Sequence, residues 1–332
     1  MNLLLSCIGQ RGYIADYFRT HLAKNDLIIG TSNTQWTPGF KHCDKSYILP
    51  DIIDPDYIPR VMEICKMESI SAILSFYDPD VVELSKHFNE FLSMQITPII
   101  PKEDLAMICF DKYATYKFLT SKNIVTAKTY LDYDKSLTDL KFGELNFPLF
   151  VKPRFGFGSI DTYKANNEKQ LDAFFHYKPN MIIQEELTGE PVNFDILNDL
   201  KGNVISVVPW KKLRSRMGET ERAQTHKDQS LIDFGILLGN ALRHTGPLDA
   251  DLFYSQEGIA VLEINLRFGG GYPVSHLAGA DFPSLIIKMI RGEKLHVKIG
   301  DFQEDVVMMK DNLVIGGPQT DVFNNIITLR NG

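Results

Sequence analysis

The first hundred residues alternate between short apolar runs and amphipathic segments. NLLLSCI (2–8), DLIIGTS (26–32) and SAILSF (71–76) are apolar runs bounded by turn-forming or polar residues. Strands buried on both faces read this way. Between them, the segment from Gly12 to about Lys24 and YIPRVMEICKMESI (57–70) carry apolar residues at helical spacing. DVVELSKHFNEFLSM (80–94) does the same ahead of QITPIIP (95–101). Strand–helix alternation with short links predicts a parallel α/β layer over roughly the first 105 residues.

A different pattern comes next. A helix is expected over DKYATYKFLTSK (111–122), then strands at FPLFVKP (147–153) and MIIQEEL (181–187). Residues 193–210 read as a hairpin around Lys201–Gly202–Asn203. Residues 228–246 read as a strong helix ending at a glycine. Residues 247–268 read as a second hairpin turning near Gln256–Gly258. In its last stretch, VLEINLRFGGG (261–271), the polar residues fall two apart. On a strand this places Glu263, Asn265 and Arg267 on one face, and Ile264 and Leu266 on the other. Such a face suits an active-site wall. It equally suits a half-buried strand with a polar outer side that runs into a glycine turn. Neither an internal repeat nor a low-complexity linker interrupts the chain.

Composition narrows the class without naming the chemistry. The chain has 332 residues, 44% apolar and 23% charged, with a net charge of −7. That is ordinary for a globular protein large enough for two cores. The charge offers no general attraction to nucleic acid or to an anionic membrane. No apolar run approaches the about 20 residues of a membrane span. MNLLLSC lacks the basic start and apolar length of a signal sequence, so a first strand is the expectation. Cys7, Cys43, Cys65 and Cys109 are scattered without a C-x-x-C pair, which fits a reducing cytoplasm. The eight histidines include no H-x-x-x-H pair, and no G-x-S-x-G elbow occurs.

VKPRFGFGS (151–159) adds a candidate phosphate cradle. A lysine ends an apolar strand, and Gly156, Gly158 and Ser159 come after it in a loop. Glycines let backbone N–H groups approach phosphate oxygens, and lysine supplies a point charge. The lysine precedes the glycines, so this is not a Walker loop. By itself the loop reads equally as a hairpin turn. CIGQRG, near the start, is a similarly weak match to a dinucleotide fingerprint.

The order of the pieces is more specific than any one of them. Lys112 in DKYATYKFL, Lys152 in VKP, the glycine loop, IIQEELTGE (182–190), Asp251 and the EINLR strand succeed one another. In this order, over nearly its whole length, the chain resembles the ATP-grasp superfamily. Within it, the chain looks similar to stand-alone ligases related to the large-chain modules of carbamoyl-phosphate synthase. The resemblance implies an α/β fold of ATP-grasp (α+β) type. A pre-ATP-grasp layer would occupy 1–108, a two-lobed ATP-grasp domain 109–310, and a C-terminal segment 311–332.

The resemblance also implies roles. Lys112 and Lys152 would contact ATP phosphates beneath the loop of Gly156, Gly158 and Ser159. Glu185 would accept from the adenine amino group, with the Glu186–Leu187 backbone along the ring edge. The family's ribose-binding glutamate falls where this chain has Pro191, with Glu190 one residue early. Asp161 stands where the loop usually ends in a further glycine. Asp251, Glu263 and Asn265 would offer oxygens to Mg²⁺, two ions being expected, with Mn²⁺ as a substitute. Arg267 would face the transferring phosphoryl group. Arg214 and Arg216, in WKKLRSRMGE (210–219), share a face with Lys212 if that segment is a strand, and would lie near the triphosphate and the substrate carboxylate. PVSHLAG (273–279) would line the acceptor pocket.

The activity so implied is ATP-dependent ligation of a small-molecule carboxylate to an amine or another nucleophile. It would run through an acyl phosphate and release ADP and phosphate. The implied assembly includes a homodimer and neither nucleic acid nor membrane. Two other classes remain open at this stage: a carboxyphosphate- or carbamoyl-phosphate-forming module, and a non-catalytic ATP-binding subunit.

Overall fold

The computed structural model describes residues 1–156, 158, 160–216, 218–311, 314–327 and 329. Apart from one late strand that returns to the first, its strands form three sheets that succeed one another along the chain. The first contains β1 (Asn2–Ser6), β2 (Ile28–Ser32), β3 (Lys45–Ile48), β4 (Ile70–Ser75) and β5 (Thr97–Pro98). All of its pairings are parallel, with β1 central between β2 and β4. Leu3 and Leu5 pack with Phe18 on one face, and Leu4 packs with Tyr57 and Ile64 on the other. Burial on both faces is why this strand shows no polar alternation.

The second sheet is antiparallel: β6 (Thr129–Tyr130), β7 (Leu149–Pro153), β8 (Tyr163–Ala165) and β9 (Met181–Glu185), in the order 6-9-7-8. Its own small core includes Leu149, Val151, Leu171 and Ile183. The third sheet holds β10 (Glu190–Asn198), β11 (Val204–Arg216), β12 (Glu219–Thr225), β13 (Gly246–Ser255), β14 (Gly258–Asn265) and β15 (Val307–Met309), in the order 14-13-10-11-12-15. Its pairings are antiparallel.

The third sheet is sharply two-faced. Val192, Phe194, Ile196, Val207, Leu248, Ala250 and Leu252 pack under the helix Gln229–Leu242. Alternate positions carry Asn193, Asp195, Asp249, Asp251, Glu263 and Asn265. The register sets Asp251 opposite both Asn193 and Glu263, and Asp249 opposite both Asp195 and Asn265. A polar wall therefore results from period-two patterning on three neighbouring strands.

The first and third sheets share a core in which Leu3, Phe76, Leu197, Val208, Phe268 and Phe282 belong to one cluster. Phe268 stacks on Phe76 with centroids 6.0 Å apart and meets Phe18 edge-on at 6.2 Å.

Several expectations change in detail. The helix expected through about Lys24 ends at Arg19. The segment 80–94 is two helices, Asp78–Lys86 and Phe88–Ser93, because the backbone leaves helical values at His87 (φ −103, ψ 17). The first starts early because Pro79 lies in its first turn, where a missing N–H loses no helical bond. β14 stops at Asn265. Arg267 lies in the bend beyond it, its N–H donating to the Asn265 carbonyl at 2.9 Å. The expected single strand face of Glu263, Asn265 and Arg267 is thus broken before the arginine. β3 had no clear sequence signal. Within 311–332, β16 (Ile326–Ile327) adds a further parallel strand beside β3, and Asn325 Nδ2 donates to the Phe40 and Cys43 carbonyls at 2.6 and 2.9 Å.

Candidate functional site

Two lysines from different elements converge on the polar wall. Lys112 is the first residue of the helix Lys112–Ser121, which Asp111 caps by accepting from the Tyr113 and Ala114 amides. The same carboxylate holds Arg154, just after β7, through Nε at 2.8 Å and Nη2 at 2.5 Å. That clamp ties the base of the glycine loop to the start of the helix. Lys112 Nζ donates to the Gly156 carbonyl at 2.5 Å and lies 3.2 Å from Glu263 Oε1. Lys152, on β7, is only 8% exposed. Burial pushes its ammonium down to about 8; Lys112 adds to the fall, while Glu263 and Asp251 oppose it. A cleft beside these groups is lined by Asp78, Cys109, Phe110, Gly156, Glu263 and Asn265.

The carboxylates of the wall differ in charge state although they are neighbours. Asp251 Oδ1 accepts from Asn193 Nδ2 and from Lys212 Nζ, both at 2.7 Å. Burial acts to raise its pKa, but Lys212, Asn193 and Arg267 together outweigh burial and hold it below the usual carboxylate range. Among the described residues no cation pairs directly with Asp249, and Arg267, Lys212 and Arg11 act on it only from further off. Burial, with the charge of Asp251 beside it, raises it to about 7. Asp195 accepts from Trp210 Nε1 at 2.9 Å and Ser275 Oγ at 2.5 Å, and burial pushes it well above the ordinary value. Asn193, Asp195, Lys212 and Asp249 were absent from the residues that the sequence singled out as site groups. The usable signal was the repeated polar–apolar–polar triplet in NFD (193–195), DAD (249–251) and EIN (263–265).

The three glycines after β14 have a packing reason. A Cβ at Gly269 would lie 2.6 Å from Asp249 Oδ1, one at Gly270 2.3 Å from Glu219 Oε2, and one at Gly271 2.1 Å from the Trp210 ring. Each leaves room for one large or polar side chain from the third sheet.

The arginines separate. Arg267 donates to Asp78 Oδ2 from Nε at 2.9 Å and Nη2 at 2.7 Å, and to the Phe268 carbonyl at 3.1 Å. Asp78 opens the helix Asp78–Lys86 of the first layer, so this guanidinium joins that layer to the wall. Arg214 and Arg216 sit near the end of β11 and pair with Glu221 at 3.1 and 3.9 Å. Irregular pairing between Lys212 and Arg214, and again after Arg214, interrupts the strand's alternation. Lys212 reaches Asp251 while the two arginines stay on the exposed hairpin arm. The shared face expected for the three is not kept, because a bulge shifts the side-chain period.

Glu185 ends β9, and Glu186 to Gly189 link the second sheet to the third. The Glu185 carboxylate accepts the Lys128 amide at 2.6 Å, so at least part of its capacity stiffens the sheet edge. Glu186 pairs with Lys164 at 2.7 Å, Glu190 pairs with Lys211 at 2.9 Å, and Leu187 lies in the linker. Asp161 has positive φ (54°) and pairs with Lys178. Gly158, also with positive φ (65°), meets Gly218 of the β11–β12 turn: a Cβ on Gly218 would lie 3.1 Å from the Gly158 Cα. Ser159 lies outside the described residues.

Among the described residues no three His, Cys, Asp or Glu side chains form a metal-holding group by themselves. Asp251, Glu263 and Asn265 nonetheless supply hard oxygen donors on adjacent strands. That donor set fits a cation such as Mg²⁺, which takes most of its oxygens from phosphate and water. Among the described residues, no helix is long and apolar enough to cross a membrane.

Residues 3–99 match the family described as PylC-like, N-terminal domain. Residues 177–311 match the family described as ATP-grasp in the biosynthetic pathway with Ter operon. The D-alanine–D-alanine ligase of Corynebacterium aurimucosum is 26% identical over 191 residues, 50% of this chain and 53% of that protein. The chain thus spans about half the length of this relative. Among solved structures, the biotin carboxylase domain of Hydrogenobacter thermophilus 2-oxoglutarate carboxylase, in complex with MgADP, ADP and bicarbonate, superposes with a TM-score of 0.73. It is 16% identical, over 92% of this chain and 73% of that one. An L-amino acid ligase from Bacillus licheniformis gives 0.66 at 18% identity, covering 87% and 74%.

Proposed function

We propose that the chain is an ATP-grasp enzyme, an ADP-forming ligase joining a carboxylic acid to an amine, a reading supported by the family match over residues 177–311 and by the similarity to a D-alanine–D-alanine ligase. The observation that carries the reading is the convergence of Lys112 and Lys152 on the Glu263 side of the polar wall, under a loop of glycines. Two ammonium groups beside one cleft, one of them nearly buried, carry more positive charge than Glu263 alone offsets, which favours a further anion. A triphosphate supplies that anion. The adenine would lie along the linker of Glu185, Glu186 and Leu187, between the two sheets, with Glu190 at the ribose end.

In the first step a carboxylate oxygen of the acid attacks the γ-phosphorus. The bond from that phosphorus to the bridging oxygen breaks, and ADP leaves with its electron pair. In the second step the amine nitrogen attacks the acyl carbon. Phosphate departs and the nitrogen loses a proton. Phosphoryl transfer is chiefly a matter of position and charge. Lys112 and Lys152 would offset charge on the phosphates, and Arg267 would place its guanidinium beside the incoming acid. The glycine loop would exclude water from the acyl phosphate. Glu263, Asn265 and Asp251 would hold two Mg²⁺ ions, which neutralise triphosphate charge when bound; Mn²⁺ would substitute. Arg214 and Arg216, on the exposed arm, would meet substrate only at the outer rim.

The test is ADP release from ATP across a library of acids and amines, with hydroxylamine as a general trap and mass detection of products. ADP formation that requires an acid, with a hydroxamate in the trap, is expected. Acid-independent ADP release, or none with any acid, would overturn the reading. An arm with bicarbonate alone covers the carboxyphosphate reading suggested by the bicarbonate-bound neighbour.

A further inference from the structure

Beyond the phosphate cradle, on the other side of Arg267, a second group of cations meets at the junction of the first layer and the third sheet. Arg11 projects from the loop after β1. Its Nη1 donates to the Phe76 carbonyl at 3.0 Å and the Phe268 carbonyl at 2.8 Å, and its Nη2 lies 3.0 Å from Glu219 Oε1. Arg267 donates to the same Phe268 carbonyl. Two guanidinium groups on one oxygen repel each other, and the fold compensates with one carboxylate on each side. Asp78 serves Arg267, and Glu219 serves Arg11. Lys310, after β15, reaches the second oxygen of Glu219 at 3.2 Å, with its ammonium 5.4 Å above the Tyr13 ring. Among the described residues the Tyr13 hydroxyl is buried without a hydrogen-bond partner, and the charges of Arg11, Glu219 and Arg267 act on it.

The two carboxylates are held differently. Asp78 is 13% exposed and sits in the first turn of a helix. Glu219 is 45% exposed and comes directly after Gly218 at the tip of a hairpin. Its carboxylate lies over Gly270, where a Cβ would fall 2.3 Å from Oε2. A half-exposed carboxylate on a hairpin tip, between an oriented arginine and a lysine that itself lies over the Tyr13 ring, has the chemistry of an internal ligand.

We propose that Arg11, Lys310 and Tyr13 form the docking subsite for an anionic group of the acid substrate, and that Glu219 occupies this subsite until the substrate displaces it. The substrate class is then an acid with a second negative group, such as a dicarboxylate. One carboxylate replaces Glu219 between Arg11 and Lys310, and the other reaches Arg267 and the cleft. Arg11 presents a planar fork to a carboxylate, Lys310 a point charge, and Tyr13 a neutral donor. The fate of the docked acid rests on the ligase reading, whereas its docking is testable without ATP.

The experiment is calorimetric titration of the full chain with succinate, in the absence of ATP, for wild type, Glu219→Gln, Glu219→Gln/Lys310→Met and Glu219→Gln/Arg11→Lys. Glutamine keeps the shape of the internal ligand and removes its charge. Glu219→Gln is expected to bind succinate roughly tenfold to a hundredfold more tightly than wild type, the range for charge-assisted hydrogen bonds. Each second substitution is expected to remove most of that gain. Circular dichroism of every variant confirms folding, and Lys310→Met, on an exposed segment, carries the test if Arg11→Lys unfolds. Equal affinity in wild type and Glu219→Gln, or a gain that survives both second substitutions, overturns the subsite. Acid-dependent ADP release that persists in that case would leave the ligase reading standing. The expected succinate result with no acid-dependent ADP release would do the reverse.

Discussion

Lys152 shows how burial turns an ordinary residue into a sensor of its ligand. An ammonium on the surface stays mostly charged up to about pH 10. Burial in β7 brings Lys152 down to about 8. Near pH 8 the free protein therefore holds this lysine partly neutral. A triphosphate beside it would favour the charged form, so binding should take up a proton. Affinity is then fully present below about pH 8 and weakens as pH rises through it. The measurement is calorimetry of a non-hydrolysable ATP analogue at pH 8.5, in buffers of different ionisation enthalpy. Net proton uptake is expected in wild type and should vanish in Lys152→Met, whose affinity should also fall by roughly 1.5–3 kcal/mol, the worth of a charged hydrogen bond. Equal uptake in both proteins would place the titrating group elsewhere.

At the scale of elements, the β11–β12 hairpin has effects that its residues do not show singly. Its bulge sends Lys212 inward to Asp251 and leaves Arg214 and Arg216 on Glu221. Its tip brings Gly218 against Gly158, so the arm from the third sheet touches the glycine loop from the second. Gly218 has φ +79, a conformation that costs an L-residue roughly 1–2 kcal/mol. Gly218→Ala should lose about that much in urea unfolding. It should also slow ATP turnover, because its Cβ enters the contact with the loop. Gly143→Ala is the control, since Gly143 has φ +76 and open space around its Cβ. It should show a similar backbone penalty with turnover unchanged. Equal turnover losses in the two variants would mean that the hairpin–loop contact has no part in catalysis.

For the molecule as a whole, the decisive joint lies between the first layer and the third sheet. Arg267 and Asp78 cross it with side chains 11% and 13% exposed. Removing one partner of a largely buried pair leaves a charge without its counterion, at a cost of about 3 kcal/mol. Asp78→Asn and Arg267→Ala should each destabilise by about that amount, and the double variant by less than their sum, in a urea-based cycle. Additive losses would show that the pair does not couple the two parts. The same pair explains what was legible beforehand. Period-two patterning in EINLR identified Glu263 and Asn265 as one polar face, and a continuous apolar run identified β1, because burial on one or both faces is written in local spacing. Spacing cannot reveal that β14 ends at Asn265, since the end of a strand is set by what packs beyond it, here Phe268 against Phe76 and Phe18. Nor could it pair Arg267 with Asp78, 189 residues away, or bring Arg11 to Glu219, 208 away. By itself the sequence determined the alternating layer, the lysine–glycine loop and the polar wall, all products of short-range period and residue type. The charge state of each wall carboxylate, and the partner of each arginine, were decided only in the tertiary structure, because electrostatic energy depends on distance and burial rather than on position along the chain.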